Sequence, residues 1–354
     1  MELDARKLVV DCTGEGVVFV EADADVRLPE LVAAGLVPPF PYAHQLLFDV
    51  EVSSGVLNCP LLLVQVTRLL CGGFIVAFRL NHTICDAIGI VQFLSAVAEL
   101  ARGLPAPTVA PSWSRVLLEA RNPPTPPTFP HHEFDAVPPP APPMPGDMVT
   151  RTFTFGPSDI DDIRKGLPRN LHDTATTFEV LTAALWRART AALELSPDEA
   201  VRLAFICNVR GVPGLGLPAG YYGNAAVSTA VLTTVKALLA GSLGDTVELV
   251  REAKAAVTAE YVRSMADLLV LRGRPCVAMA NLFLVSDNRR TGFHSVDFGW
   301  GVPVYGGPCS AVFGASFLIA VGNGDGEQAA ALPIMLPAPA MDRFASEVER
   351  LLKD

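Results

Sequence analysis

The chain has 354 residues, half of them apolar, and a net charge of −10. Such a length supports one or two buried cores, while the acidic balance argues against nucleic acid or an anionic membrane as partner, since both require clustered Lys and Arg. Seven cysteines without C-x-x-C spacing read as free thiols of a reducing compartment. No uncharged apolar run reaches the roughly 18 residues of a membrane span, and MELDARKLVV lacks the apolar core of a signal peptide. A cytoplasmic location is expected.

In chain order, Leu8–Cys12 and Val17–Glu21 read as two strands joined by a glycine-containing turn. A short helix is expected over 28–34, then strands around 45–52 and 61–70. The apolar run Phe74–Leu80 reads as a buried strand that completes a mixed sheet with them. From Ile88 the pattern changes: Ile88, Val91, Leu94, Val97 and Leu100 recur every third position, with Ile84 one turn earlier, which predicts a helix. Arg102 and Gly103 suit its end, a cation in the last turn followed by a capping glycine.

His82 and Asp86 stand at the junction of that strand and helix. An imidazole held there by a rigid strand is a candidate general base, since its ordinary pKa is near neutrality. The competing reading is a hydrogen-bonded core histidine. H-x-x-x-D spacing has little specificity by itself, because a second copy, His131 to Asp135, lies in PPTPPTFPHHEFDAVPPPAPP. A stretch so rich in proline is expected to be a solvated linker that holds no ring in place.

The interval 104–149 contains one amphipathic stretch, Trp113–Arg121, and is too long and aperiodic for a loop inside a compact domain. It reads as a crossover, giving domains over 1–122 and 149–354 with a proline-rich linker over 123–148. The second half is expected to hold a strand over 149–155, a helix from Ser158, and a helix Thr177–Leu193 with Thr176 and Thr177 as N-cap candidates. No internal repeat of fixed period is visible. The histidines and cysteines show no ligand spacing that would hold a metal.

The stretch SDNRRTGFHSVDFGWGVPVYGGP supplies the second informative motif. DFG suggests a protein kinase, but the chain has no H-R-D-L-x-x-x-N, no V-A-I-K and no Gly-rich phosphate loop before a valine strand. HTICD followed by DFGWG instead resembles the plant BAHD family of acyl-CoA-dependent acyltransferases, in its benzyl alcohol benzoyltransferase and taxane acyltransferase-like branch. QVTRLLCGGFIVAFRLNH, TTFEVLTAALWRART, NVRG, GYYGNA and SDNRRTGF are similar to that family's blocks.

The resemblance implies an α/β, chloramphenicol acetyltransferase-like two-domain fold with mixed sheets and a channel between the domains. It implies acyl-CoA as co-substrate, no permanently bound cofactor, a small alcohol or amine as acceptor, and a monomer. It makes His82 the catalytic base. Asp86 is expected to be architectural and paired with Arg210, and the DFGWG residues Asp297, Gly299, Trp300 and Gly301 to be structural. Ser286 matches a position whose hydroxyl approaches the thioester oxygen, although Asn288 stands where several relatives carry tryptophan; a strand-end hydroxyl is the plainer reading. Arg290 matches an acceptor-contacting arginine in some relatives, or is a solvated strand-end arginine. Thr174, Thr176 and Thr177 stand ahead of a helix whose free N–H groups suit the anionic groups of coenzyme A, or are ordinary caps. Cys85, beside the motif, offers a Cys–His nucleophile against a packed side chain, the latter being expected. The family's pattern also implies that this chain lacks an N-terminal segment of several dozen residues. The alternatives carried forward are a catalytically silent binding protein and a thioesterase-like hydrolase.

Overall fold

The computed structural model describes residues 8–40, 43–51, 55–140, 146–312, 314–322 and 328–353. Its strands form two sheets. The smaller contains β1 (Val18–Ala24), β2 (Leu62–Leu69) and β3 (Phe74–Leu80) in that order. The larger contains β4 (Met148–Phe155), β5 (Ala200–Asn208), β6 (Ala226–Thr234), β7 (Leu282–Asp287), β8 (Ala315–Gly322) and β9 (Gln328–Pro337), ordered β4-β9-β8-β7-β5-β6. Both are mixed: β1 runs parallel to β2, and β7 runs parallel to β5 and β8, while the other pairs are antiparallel. The helices are α1 (Leu28–Ala33), α2 (Ala87–Ala101), α3 (Pro157–Lys165), α4 (Arg169–His172), α5 (Thr177–Ala192), α6 (Val235–Ala240), α7 (Leu243–Ala255), α8 (Ala259–Leu271) and α9 (Ala338–Leu351).

The larger core is built around α5, which contacts α3, α6, α7 and α9. Its apolar residues run around the whole helix, and such a helix must be buried on all sides; Val180, Leu181, Leu185 and Trp186 are at most 1% exposed. Thr176 opens it through a reciprocal cap: its hydroxyl accepts from Glu179 N at 3.3 Å, and Glu179 Oε2 accepts from Thr176 N at 2.9 Å. A cap of this kind stabilises by about 1 kcal/mol.

Around the smaller sheet the structure corrects two expectations. Leu8–Cys12 is not a strand paired with the next one: only Leu8 makes an isolated bridge, and β1 pairs in parallel with β2, Val18 opposite Leu63. Alternating apolar residues mark a strand but not its partner, and this partner comes some forty residues later. No strand spans 45–51 either; Val52 lies outside the described residues. There the Gln65 side chain of β2 replaces a ladder, accepting from Phe48 N at 2.8 Å and donating to Gln45 O at 2.9 Å. The hairpin from β2 to β3 turns at Gly72, whose φ of +81° admits glycine readily, and α2 follows β3 as the periodicity predicts.

The proline-rich stretch corrects a third. Trp113–Arg121 forms only a 3₁₀ turn, Arg115–Leu118, and the following segment is strapped to α8. Asp267, fully buried on α8, accepts from Arg121 N at 2.8 Å, Arg121 Nε at 2.6 Å and Thr125 Oγ1 at 2.9 Å. His131, expected to be solvated, is 1% exposed; its Nδ1 lies 3.0 Å from Glu133 Oε1 and its Nε2 2.9 Å from Ser264 Oγ. Tyr261 OH donates to Glu133 Oε1 at 3.0 Å. Ser264, His131 and Glu133 thus share the bonding order of a hydrolase triad, but none is more than 1% exposed and no substrate reaches them. Prolines stiffen the segment without preventing its side chains from docking.

Candidate active site

The His82 turn is built from the end of β3 outward. Asn81 N donates to Leu61 O at 2.9 Å, closing the ladder. The Asn81 side-chain oxygen then accepts from Thr83 N at 3.2 Å and Thr83 Oγ1 at 2.7 Å, so the chain reverses tightly at His82. Asp86 caps α2 through Gly89 N at 2.9 Å. Asn224 Nδ2 donates to His82 O at 2.8 Å, and Arg115 donates to Ile84 O. The backbone of the turn is thus held from two distant parts of the chain while His82 itself is exposed. It lines a cavity of ≈ 390 Å³ with Val56, Pro60, Leu63, Leu80 and Thr83 among its walls.

The Asp86 carboxylate is engaged by groups other than the imidazole. Its Oδ1 accepts from Arg210 Nη2 at 2.9 Å and its Oδ2 from Arg210 Nη1 at 2.8 Å and Ala225 N at 2.9 Å. Arg210 in turn donates to Tyr221 O at 3.1 Å and Gly223 O at 2.8 Å. The pair joins α2 to the loop carrying Asn224. A side chain at Gly89 would put its Cβ 1.9 Å from Tyr222 O, so only glycine lets the helix approach this closely.

DFGWG lies at the far end of the same unit. Asp297 Oδ1 accepts from Gly299 N at 2.7 Å and Gly301 N at 3.0 Å. These backbone donors, Gly299 first, hold its carboxyl below the usual carboxylate range. Arg102, after the last turn of α2, approaches Asp297 at 3.7 Å, and Trp300 meets Phe74 of β3 edge-on at 5.5 Å between centroids. The loop therefore contacts the start of β3 and the end of α2. None of its Asp297, Gly299, Trp300 or Gly301 lines the cavity at His82.

A second cavity, of ≈ 600 Å³, brings Thr176 and Thr177 at the start of α5 together with Arg164, Lys254, Arg289 and Arg290. Thr174 is not among its walls; its hydroxyl donates to Asn170 O at 2.5 Å and accepts from Arg251 at 3.3 Å. Ser286 lines neither cavity, and its hydroxyl donates weakly to Asn288 Oδ1 at 3.5 Å. Sequence reading missed Arg164, Lys254 and Arg289, because α3, α7 and the loop after β7 each contribute only one or two of these cations and their convergence is not local. Lys254 is partly engaged, at 3.0 Å from Glu179 Oε1.

Cys85 is buried against Leu62 and Ile90, and burial, reinforced by the Asp86 charge, pushes its thiol up to about 11. A thiol so protonated is a poor nucleophile. Among the described residues no group of three or more His, Cys, Asp and Glu could hold a metal ion, and no helix is long and apolar enough to cross a membrane.

A family profile described as "Transferase family" matches residues 2–351. The chain belongs to the BAHD transferase family. It is 51% identical to the benzyl alcohol O-benzoyltransferase of Petunia hybrida, over 98% of this chain and 76% of that one. It is 47% identical to alcohol acyltransferase 16 of Actinidia chinensis var. chinensis, over 99% of this chain and 76% of the relative. In fold it matches F. graminearum TRI101 complexed with coenzyme A and deoxynivalenol, at a TM-score of 0.72 and 17% identity over 93% of this chain and 80% of that. It also matches vinorine synthase, at 0.70 and 20% identity over 96% of this chain and 78% of that one. The BAHD chain has the chloramphenicol acetyltransferase-like α/β fold and belongs to a family whose Petunia hybrida and Actinidia chinensis members are acyltransferases.

Proposed function

We propose that the chain transfers the acyl group of an acyl-CoA to the hydroxyl of a small, largely apolar alcohol, with His82 as general base. The observation that carries this reading is the exposed imidazole on a turn whose backbone is held from both sides, lining a cavity walled by Val56, Pro60, Leu63 and Leu80 together with the polar Arg79, Asn81 and Thr83. The acceptor hydroxyl gives its proton to His82 as its oxygen bonds to the thioester carbonyl carbon. The resulting tetrahedral oxyanion collapses with cleavage of the C–S bond, and the thiolate of coenzyme A takes the proton back from His82. The products are an ester and free coenzyme A; no acyl-enzyme forms, in keeping with the buried, protonated Cys85. Ser286 is assigned as the oxyanion donor, by analogy with the family's position.

The second cavity suits the donor. Its cations suit the 3′-phosphate and pyrophosphate of coenzyme A, Arg290 most directly, since Asp287 in the same wall pairs with Arg289 and Glu179 holds Lys254. The first turn of α5 adds N–H groups beside Thr176 and Thr177. Asp86, Arg210, Asp297, Gly299, Trp300 and Gly301 support the fold around this chemistry. We assign two domains, 1–122 and 149–354, with 123–148 acting as a strap between them. Seven free thiols suit a monomer in the reducing cytoplasm.

Acetyl-, benzoyl- and hydroxycinnamoyl-CoA should be offered with benzyl alcohol and related alcohols, and ester formation followed. Ester formation that disappears in His82→Ala supports the reading. Free acid released at the same rate without acceptor would make the chain a hydrolase, and binding without turnover would make it a silent relative.

A further inference from the structure

We propose that Arg115 is a positioning residue for the His82 turn, working from the crossover as a stacked cationic clamp on the Ile84 carbonyl. The inference rests on the reading of His82 as the base. In the turn between β3 and α2, the carbonyls of His82 and Ile84 accept from side chains that come from distant parts of the chain. Asn224 supplies the donor to the first and Arg115 the donor to the second.

The guanidinium is prepared for this contact. Its central carbon lies 3.9 Å from the ring centroid of Trp113 and 5.9 Å from that of Tyr222, while the two rings are 5.7 Å apart. Stacking of this kind suits the planar, weakly hydrated guanidinium and restricts it to one plane. Gly223 provides the space: a Cβ there would come within 3.1 Å of the same carbon. Arg115 Nε is buried without a partner, so the group is held by its rings and its Ile84 contact.

The consequence is mechanical. The interval from His82 to Asp86 is fixed at one end by Asn224 and at the other by the Arg210 pair; Arg115 holds its middle. Without it, the Ile84 carbonyl loses its donor and the turn can tilt, carrying the imidazole away from the hydroxyl it must deprotonate. A displacement of about 1 Å at a catalytic group can lower a rate by about 10²-fold. Donor binding should be spared, because Arg115 is not among the walls of the second cavity.

The test uses the full chain, benzoyl-CoA, benzyl alcohol and the variants Arg115→Met and Arg115→Lys. Expected for Arg115→Met is a kcat lower by about 10- to 100-fold, with the KM for benzoyl-CoA unchanged within about twofold. Arg115→Lys should fall between parent and Arg115→Met, since it keeps the charge but not the planar stack. Added guanidinium should restore part of the rate to Arg115→Ala. The His82 ring resonance, assigned by its absence from His82→Ala, should shift or broaden in Arg115→Met. An unchanged kcat overturns the proposal, as does a lowered kcat with an unperturbed His82 resonance. A parent that forms no ester would defeat the functional reading alone, and the resonance would still decide the role of Arg115. If Arg115→Met fails to fold, Arg115→Lys and Trp113→Leu answer the same question.

Discussion

Asp86 and Arg210, 124 positions apart, meet in a two-pronged ion pair with both N–O distances below 3 Å. The carboxylate also accepts from Gly89 N and Ala225 N, so the aspartate of the histidine motif serves as a junction between α2 and the loop behind it.

Asp86→Ala should therefore harm folding. It removes four acceptor contacts and leaves Arg210 without its counter-ion, and breaking a buried pair in this way costs about 3–5 kcal/mol. The expected outcome is a lower melting temperature and soluble yield. A variant of unchanged stability with activity reduced about a hundredfold would instead make Asp86 an orienter of His82.

His82→Ala should keep the fold and the KM for acyl-CoA, since the side chain is exposed and contributes to no core cluster. Its kcat should fall by about 10² to 10⁴, the usual contribution of positioned proton transfer. Equal ester formation by the variant and the parent would remove His82 from the mechanism.

Cys85 gives a pH dependence with a definite sign. Its folded-state thiol lies at about 11 against an ordinary 9.0, so between these values the unfolded chain releases a proton that the folded chain keeps. Stability from this group is complete below the lower value and is lost as pH rises through the higher one. Thermal unfolding followed across this range should decline less steeply in Cys85→Ala than in the parent. The same variant should still form ester, and acyl label should not survive gel filtration of the parent; persistent label that requires Cys85 would restore the thiol nucleophile.

The basic cavity should show itself in KM. Arg290→Ala is the cleanest probe, because Lys254 also holds Glu179 and Arg289 is paired with Asp287 at 2.7 Å. Losing one charge-assisted contact to phosphate, of about 1.5–3 kcal/mol, should raise the KM for acyl-CoA by roughly tenfold or more with kcat nearly unchanged. Dephospho-CoA donors and added salt should narrow the difference between parent and variant. A KM insensitive to Arg290 and to salt would place the donor elsewhere.

Glu133→Ala should loosen the strap. It strips His131 and Tyr261 of a shared partner inside the core, and each buried polar group left unpaired costs about 1–3 kcal/mol. Limited proteolysis between 121 and 140 should accelerate. If transfer per folded molecule collapsed as well, the buried Ser264–His131–Glu133 set would have a role in the chemistry.

The strand Phe74–Leu80, helix α2 with its end at Arg102, the capped α5 and the two motifs were legible in the sequence, because periodicity, caps and short motifs are encoded within a few neighbouring residues. The pairing of Asp86 with Arg210 came from family resemblance; no local pattern in the residues specifies it. Tertiary structure alone decided that β1 pairs in parallel with β2, that Gln65 takes the place of a strand near Phe48, and that His131 is buried beside Ser264. It alone gathered Arg164, Lys254, Arg289 and Arg290 around one cavity and set Arg115 against the His82 turn. Each of these contacts joins residues from separate elements. A partner's identity then depends on which surfaces the packed core brings together, a choice made by burial summed over the whole chain.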